Sequence, residues 1–470
     1  MSAASDADLG FLSITEASRM LAAKTLSPVE LTEALLRRIE ALNPELDAFL
    51  LVDGDRARAA AQQAEAAIQG GRRLGPLHGV PFALKDIVDT ADLRTTCHSK
   101  ILEDNIPTMD ATVAAKLKAA GGILLGKTAT HEFAIGGPAF DLPWPPARNP
   151  WNRDHHPGGS SSGSGAALAA GLAPMAIGTD TGGSVRNPAS SCGIVGMKAT
   201  YGRVSRAGVF PLSYSLDHIG PMTRSVTDNA LMLQAIAGYD ARDPAAAPNA
   251  VSDYTVAIEK GVAGLKIGYL RHFHETDLPA HPDMAAGLDA AIGVLRAEGA
   301  EIKDVSLAPL KEFAATNRVI LTSEAYAIHR QWLADRPGDY SKSTRDRIVP
   351  GAFISAAEYI DALRQRARYR DQFKHLLSQV DVIVCASSMD PACRIDDPAE
   401  VHRTYGRQAR TPFNVLGVPA LAVPTGLASN GLPLSMQIVG RAYDEATVYR
   451  VARAYERAGP WADGKRPPHS

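Results

Sequence analysis

The chain reads as an α/β protein, a mixed or mostly parallel β-sheet covered by helices on both faces, and three observations predict it. Apolar runs of strand length at 80–84 and 123–126 bracket a helical pattern that opens at Asp110-Ala111-Thr112-Val113 and closes at Gly121-Gly122. The alternation returns downstream: a strand at 265–270 precedes a helix over 284–298, and a long helix from Ser355 toward Leu377 precedes a strand at 382–385. Finally, 45% hydrophobic and 21% charged residues across 470 positions suit a large buried core, with no internal repeat or low-complexity tract.

In order, Ser27-Pro28-Val29-Glu30 offers a capping serine, proline at the first helical position and glutamate at the third. Leu31, Leu35, Ile39 and Leu42 then fall on one helical face. An alanine-rich helix over 56–68 stops at Gly70-Gly71. The strand at 80–84 delivers Lys85 at its end, where α/β sheets often carry functional groups. Ala166 to Ala170 makes a turn or two of helix ending at Gly171, and 175–178 is a buried strand. Residues 241–250, rich in Ala, Pro and Asp, read as an exposed linker. In the helix from Ser355, capped by Glu358, the apolar face comprises Ile360, Leu363, Ala367, Phe373 and Leu377. The stretch 387–410 is polar and irregular and is expected as a loop over the site, after which strands at 420–423 and 435–439 return to the core.

The chemistry concentrates in two glycine-bedded serine clusters, Gly158-Gly159-Ser160-Ser161-Ser162-Gly163 and Thr179-Asp180-Thr181-Gly182-Gly183-Ser184. Glycine permits positive φ and close approach of a ligand, so a serine among glycines can sit at a sharp turn with backbone N–H groups converging beside it. An acyl-transfer nucleophile needs that setting. Ser160 and Ser184 are 24 residues apart, and Ser184 falls just after a strand.

These clusters, their separation and the upstream run His78-Gly79-Val80-Pro81-Phe82-Ala83-Leu84-Lys85-Asp86 resemble the amidase signature family. The likeness continues through 192–198 and 215–221 to Leu432–Arg441, nearly the whole chain. It implies one large α/β domain over 1–470, with a signature core at about 75–225, a variable substrate-side region at about 240–410 and a C-terminal return at 411–470, although length alone suggests two or three domains. It implies Ser184 as nucleophile, Ser160 after a cis peptide as bridging serine and Lys85 as base. The backbone N–H groups of Thr181, Gly182, Gly183 and Ser184 would form an oxyanion hole. Ser161 would support Ser160, and Asp180 with Arg186 would brace the nucleophile loop rather than hold a substrate carboxylate. Tyr201, Asp217 and His218 read as structural.

The implied activity is hydrolysis of a C–N amide bond, with esters and carbamates such as urethanes open to the same acyl-enzyme. The A (glutaminase) subunit of a tRNA-dependent amidotransferase shares all three motifs and is the nearest alternative. A nucleotide-binding module is a remote one, since no lysine follows Gly163 or Gly165 as a phosphate loop requires. Relative to the family's common form, Cys97-His98 and Thr128-Ala129-Thr130-His131 depart, and these residues are expected to border the substrate cavity.

A net charge of −2 makes no electrostatic case for nucleic acid or an anionic membrane. Four cysteines without a CxxC suggest neither zinc nor disulfides, and the adjacent His155-His156 lacks ligand partners at useful spacing, so no metal or cofactor is expected. An acidic start without an apolar run behind it predicts no secretory leader and a cytoplasmic protein. A small-molecule amide is the expected partner, and the resemblance allows a homodimer.

Overall fold

In a computed structural model the described residues are 5–461 and 464–468; residues 1–4 of the N-terminal reading lie outside them. Eleven strands form one sheet: β1 Phe49–Val52, β2 Pro81–Lys85, β3 Ile123–Thr128, β4 Met175–Asp180, β5 Val195–Lys198, β6 His218–Thr223, β7 Lys266–Tyr269, β8 Glu301–Asp304, β9 Val382–Ala386, β10 Ala420–Leu427 and β11 Pro433–Val439. Their order across the sheet is β1-β3-β2-β4-β6-β5-β10-β11-β9-β7-β8. Parallel pairs join β2 to β3 and β4, and β7 to β8 and β9, while the other neighbours run antiparallel. The sheet is therefore mixed, as expected.

Both β2 and β4 are buried along their whole length, which explains their continuous apolar runs: strands covered on both faces need no polar alternation. Leu84 of β2 lies opposite Ile177 of β4 in parallel register. Lys85 and the Thr179-Asp180 end of β4 consequently emerge at the same edge of the sheet, where open α/β sheets place ligands.

Most expected elements exist. Ser27 caps the helix Pro28–Leu46 by accepting from the N–H groups of Val29 and Glu30. The helix Ala356–Leu376 has the Ser355–Glu358 capping box, but its buried side is offset from the expected one. Ile360 and Leu363 are exposed, and Ala362, Arg366, Tyr369, Phe373 and Leu376 face inward. Asp110 does not cap Thr112–Ala119; its carboxylate takes the Ala91 N–H and the Lys118 ammonium instead. The stretch 387–410 is not purely a loop, because Asp397 caps a helix over Pro398–Tyr405 with proline at its first turn. The linker at 241–250 is irregular and largely exposed, yet Asp243 within it is buried against Arg206. The longest helix, Leu310–Asp335, went unanticipated. Among the described residues no helix is long and apolar enough to cross a membrane.

Candidate active site

Lys85 is completely buried at the end of β2, and its Nζ donates to Ser160 Oγ at 2.7 Å and Thr179 Oγ1 at 2.8 Å. Among the described residues no carboxylate lies within ion-pair distance of it, unlike buried Lys127, which has Asp86 at 3.6 Å. Burial pulls the ammonium down to about 7 against the opposing pull of Asp217 and Asp180. Near neutrality a large share of Lys85 is thus the free amine, which can donate to Thr179 Oγ1 while its lone pair accepts from the Ser160 hydroxyl.

The serine cluster divides its labour. Ser160 follows a cis peptide from Gly159 and alone meets Lys85. Ser161 Oγ accepts from the Thr179 N–H and donates to the Thr179 carbonyl, so it fixes the residue that shares Lys85 with Ser160. Ser161 makes no side-chain cap for the helix Ser162–Ala169, and Ser164 Oγ donates to Ile177 O at 3.1 Å.

Ser184 sits on the turn between β4 and the helix Arg186–Cys192, its carbonyl accepting from the Ser161 N–H at 3.2 Å. The two serine loops are thereby pinned together. Ser184 is 7% exposed, and among the described residues its hydroxyl has no protein partner and is not sealed, so it opens to solvent. Asp180 organises the turn by accepting from the N–H groups of Gly183 and Val185 at 2.9 and 3.2 Å. Of the four expected oxyanion donors, the Gly183 N–H donates to Asp180, whereas those of Thr181, Gly182 and Ser184 have no protein acceptor among the described residues.

Arg186 meets Asp180 through Nε at 3.0 Å and Nη2 at 2.9 Å and spends its other donors on Arg410 O, Gln437 Oε1 and Asn414 Oδ1. Every donor is used, so Arg186 braces the turn and has nothing left for a substrate. Burial alone would raise the Asp180 carboxyl, but Arg186, Lys198 and Asn414 hold it far below the usual carboxylate range. Thr181 is tied by its hydroxyl to Asp217 Oδ1 at 2.6 Å and by its carbonyl to Asn317 Nδ2 at 3.3 Å. Asp217, 8% exposed, is itself lifted to about 6 by burial.

A family model described as Amidase matches residues 30–449. The chain belongs to the amidase family. It is 41% identical, over 96% of its own length and 96% of the relative's, to the Roseiflexus castenholzii protein named as the A component of glutamyl-tRNA(Gln) amidotransferase. Native peptide amidase from Stenotrophomonas maltophilia superposes with a TM-score of 0.86 at 32% identity, covering 98% of each chain. A chain from a vestigial protein complex bearing on the origins of an s-triazine catabolic enzyme reaches 0.90 at 32% identity, covering 97% of this chain and 100% of that one. Membership makes the chain a hydrolase acting on amide C–N bonds.

A cavity of about 610 Å³ reaches this amidase site through Thr179 and Thr181 and is walled by Tyr201, Phe210, Asp217 and Glu324; Ser184 is not among its lining residues. Asp217 and Tyr201, read from sequence as structural, therefore also line space beside the site.

The departures from the family pattern lie elsewhere. Cys97 and His98 both adopt positive φ, and His98 links three segments by bonding Trp144 O at 3.0 Å and accepting from the Thr130 N–H. His131 packs under Gly159, where a Cβ would fall 2.1 Å from its ring, and its Nε2 lies 3.3 Å from His156 Nε2. None of Cys97, His98, Thr130 or His131 lines the cavity. Of the four, His131 holds a serine loop from behind, its backbone N–H donating to Ser160 O at 3.0 Å and its ring lying under Gly159. Among the described residues no group of three or more His, Cys, Asp or Glu side chains could hold a metal ion.

Proposed function

We propose that the chain hydrolyses a carboxamide through an acyl-enzyme on Ser184. Ser184 Oγ attacks the carbonyl carbon while its proton passes to Ser160 and the Ser160 proton to the free amine of Lys85. The N–H groups of Thr181, Gly182 and Ser184 receive the oxyanion. As the C–N bond breaks, the relay returns a proton to the leaving nitrogen, and water repeats the sequence to release the carboxylate. The observation that carries this reading is the contact between a buried lysine without a counter-ion and Ser160 at 2.7 Å, on loops pinned to that of Ser184. A fluorophosphonate should label wild type at Ser184 by peptide mass mapping, and Ser184→Ala should fold but lose turnover. Loss of activity with the label on another residue would overturn the assignment.

The comparisons favour a particular setting for that chemistry. Identity of 41% along 96% of both chains supports the glutaminase component of an amidotransferase, with glutamine as the amide, over a free-standing amidase. Under this reading the expectation of no nucleic acid partner does not hold for the assembly, because a charged tRNA is its second substrate, and the charge of −2 concerns only this chain's surface. Gel filtration and glutaminase assays of the chain alone separate the readings. Brisk turnover of diverse amides without any partner would favour the free-standing amidase.

A further inference from the structure

Asp217 stands where the cavity wall meets the nucleophile turn. Strands β4 and β6 run antiparallel with Asp180 opposite His218. One residue beyond that pair, the same register brings Asp217 to Thr181, and its Oδ1 accepts from Thr181 Oγ1 at 2.6 Å. Its Oδ2 accepts from the N–H groups of Leu212 and Ser213 at 2.9 and 3.0 Å, and its own N–H donates to Ser213 O at 2.9 Å. One oxygen therefore serves the nucleophile turn and the other the segment that walls the cavity, where Leu212, Ser215, Asp217 and Thr181 line the same space. Among the described residues no cation pairs with Asp217: Arg206, whose charge reaches it, is engaged with Asp243 through Nε at 3.1 Å and Nη2 at 2.9 Å.

Thr181 is where a side chain can steady the donor half of this turn. Gly182 and Gly183 carry none, and Asp180 secures only the later half, through the N–H groups of Gly183 and Val185. The Thr181 and Gly182 N–H groups precede that hold, on a backbone that glycine leaves loose. Among the described residues Asp217 is the sole partner of the Thr181 hydroxyl, and Asn317 Nδ2 holds the Thr181 carbonyl at 3.3 Å. A hydrogen bond to a charged acceptor is stronger than one between neutral groups. The 2.6 Å bond thus orients the two peptide units that carry the Thr181 and Gly182 N–H groups. Oxyanion donors are effective when their direction is set before charge develops.

We propose that Asp217 is a positioning residue of the reaction: through the Thr181 hydroxyl it aims the Thr181 and Gly182 N–H groups at the oxyanion. The inference rests on Ser184 as the nucleophile. A fluorophosphonate tests it without a known substrate, because the phosphoryl oxygen gains charge where the carbonyl oxygen would. Asp217→Asn keeps the shape and leaves an oxygen for Leu212 and Ser213, while its amide nitrogen turns toward Thr181 and cannot accept. Its limiting labelling rate should fall on the order of 10-fold, less than the 100- to 1,000-fold of a deleted donor, with the half-saturating concentration unchanged. Thr181→Val cuts the same bond from the other end and should cost as much. Thr181→Ser restores the hydroxyl and should recover most of that loss. A variant carrying both Asp217→Asn and Thr181→Val should be no slower than either single one, since both break one bond. An undiminished rate in Asp217→Asn or Thr181→Val, losses that multiply in the double variant, or no recovery in Thr181→Ser would overturn the proposal. The two Thr181 variants decide even if Asp217→Asn does not fold. Peptide mass mapping keeps the two readings apart: a label on Ser184 with multiplying losses sinks only the role of Asp217, and a label elsewhere sinks the nucleophile on which that role rests.

Discussion

Lys85 reaches Ser160 at 2.7 Å and, among the described residues, has no carboxylate within ion-pair distance, unlike Lys127 with Asp86. Its two hydrogen bonds go to hydroxyls, which orient the amine without holding its proton in place as a carboxylate would. Such an arrangement suits a base that must be neutral to act.

Lys85→Arg should therefore be nearly as damaging as Lys85→Ala, because Arg stays protonated. The loss should be on the order of 100- to 10,000-fold in kcat/KM, the usual range for a proton-transferring side chain. In wild type kcat/KM should rise with an apparent pKa of about 7 and then flatten, since the neutral amine is the active form. Activated aryl esters should suffer less than amides, as a phenolate leaves without a returned proton. An Arg variant with near-normal amide turnover would remove Lys85 from the proton relay.

The same depressed pKa predicts a signature in stability. Below about 7 Lys85 is charged in both states, and folding bears its desolvation. Between about 7 and the unfolded value near 10.4 the unfolded chain binds the extra proton, so this group makes stability rise with pH across that window. Lys85→Met removes the titration. Its stability advantage over wild type in urea unfolding should be largest below pH 7 and shrink by a few kcal/mol toward pH 10. A pH-independent difference would mean that Lys85 keeps an ordinary pKa when folded.

The parts legible in the sequence were those whose signal is contiguous. The apolar run 80–84 announces a strand buried on both faces and the charge at its end, and the glycines at 158, 159, 182 and 183 announce tight turns beside serines. What escaped depends on distant partners. Asn317 touches Thr181 across 136 positions, and the helix Leu310–Asp335 is weakly marked in sequence: its cap position, Pro309, offers no side-chain bond, and its buried face, Leu310, Phe313, Thr316, Asn317 and Ile320, is interrupted by polar residues. That Gly183 is occupied and Gly182 free could not be read either, because Asp180 chooses one amide of two only once the turn is formed.

Arg186 is predicted to act through the fold rather than through substrate. Removing its charge leaves Asp180 buried and unpaired, so Arg186→Met should cost about 3–5 kcal/mol in chemical unfolding. Arg186→Lys should also be severely destabilising, because a single ammonium cannot replace five directed donors. Neither change should alter the relative order in which different amides are turned over. A Lys variant of wild-type stability but altered substrate choice would reassign Arg186 to binding.

The adjacent glycines of the nucleophile turn should respond in opposite ways. At Gly182 an added Cβ meets only Asn317 Oδ1 at 3.6 Å, an ordinary contact, and the N–H is retained. Gly182→Ala should therefore change stability by no more than about 0.5–1 kcal/mol. At Gly183 the φ of +128° disfavours any side chain, and the Cβ would lie 2.5 Å from Arg410 Nε. Gly183→Ala must either rotate the turn, breaking the 2.9 Å bond to Asp180, or push Arg410 off Ser388. Strain of this kind costs about 1–3 kcal/mol, and a displaced nucleophile loses on the order of 100-fold in rate. Thermal unfolding and kcat measured for both variants give the comparison. Equal tolerance at the two positions would mean that the turn is not held by Asp180 and Arg410.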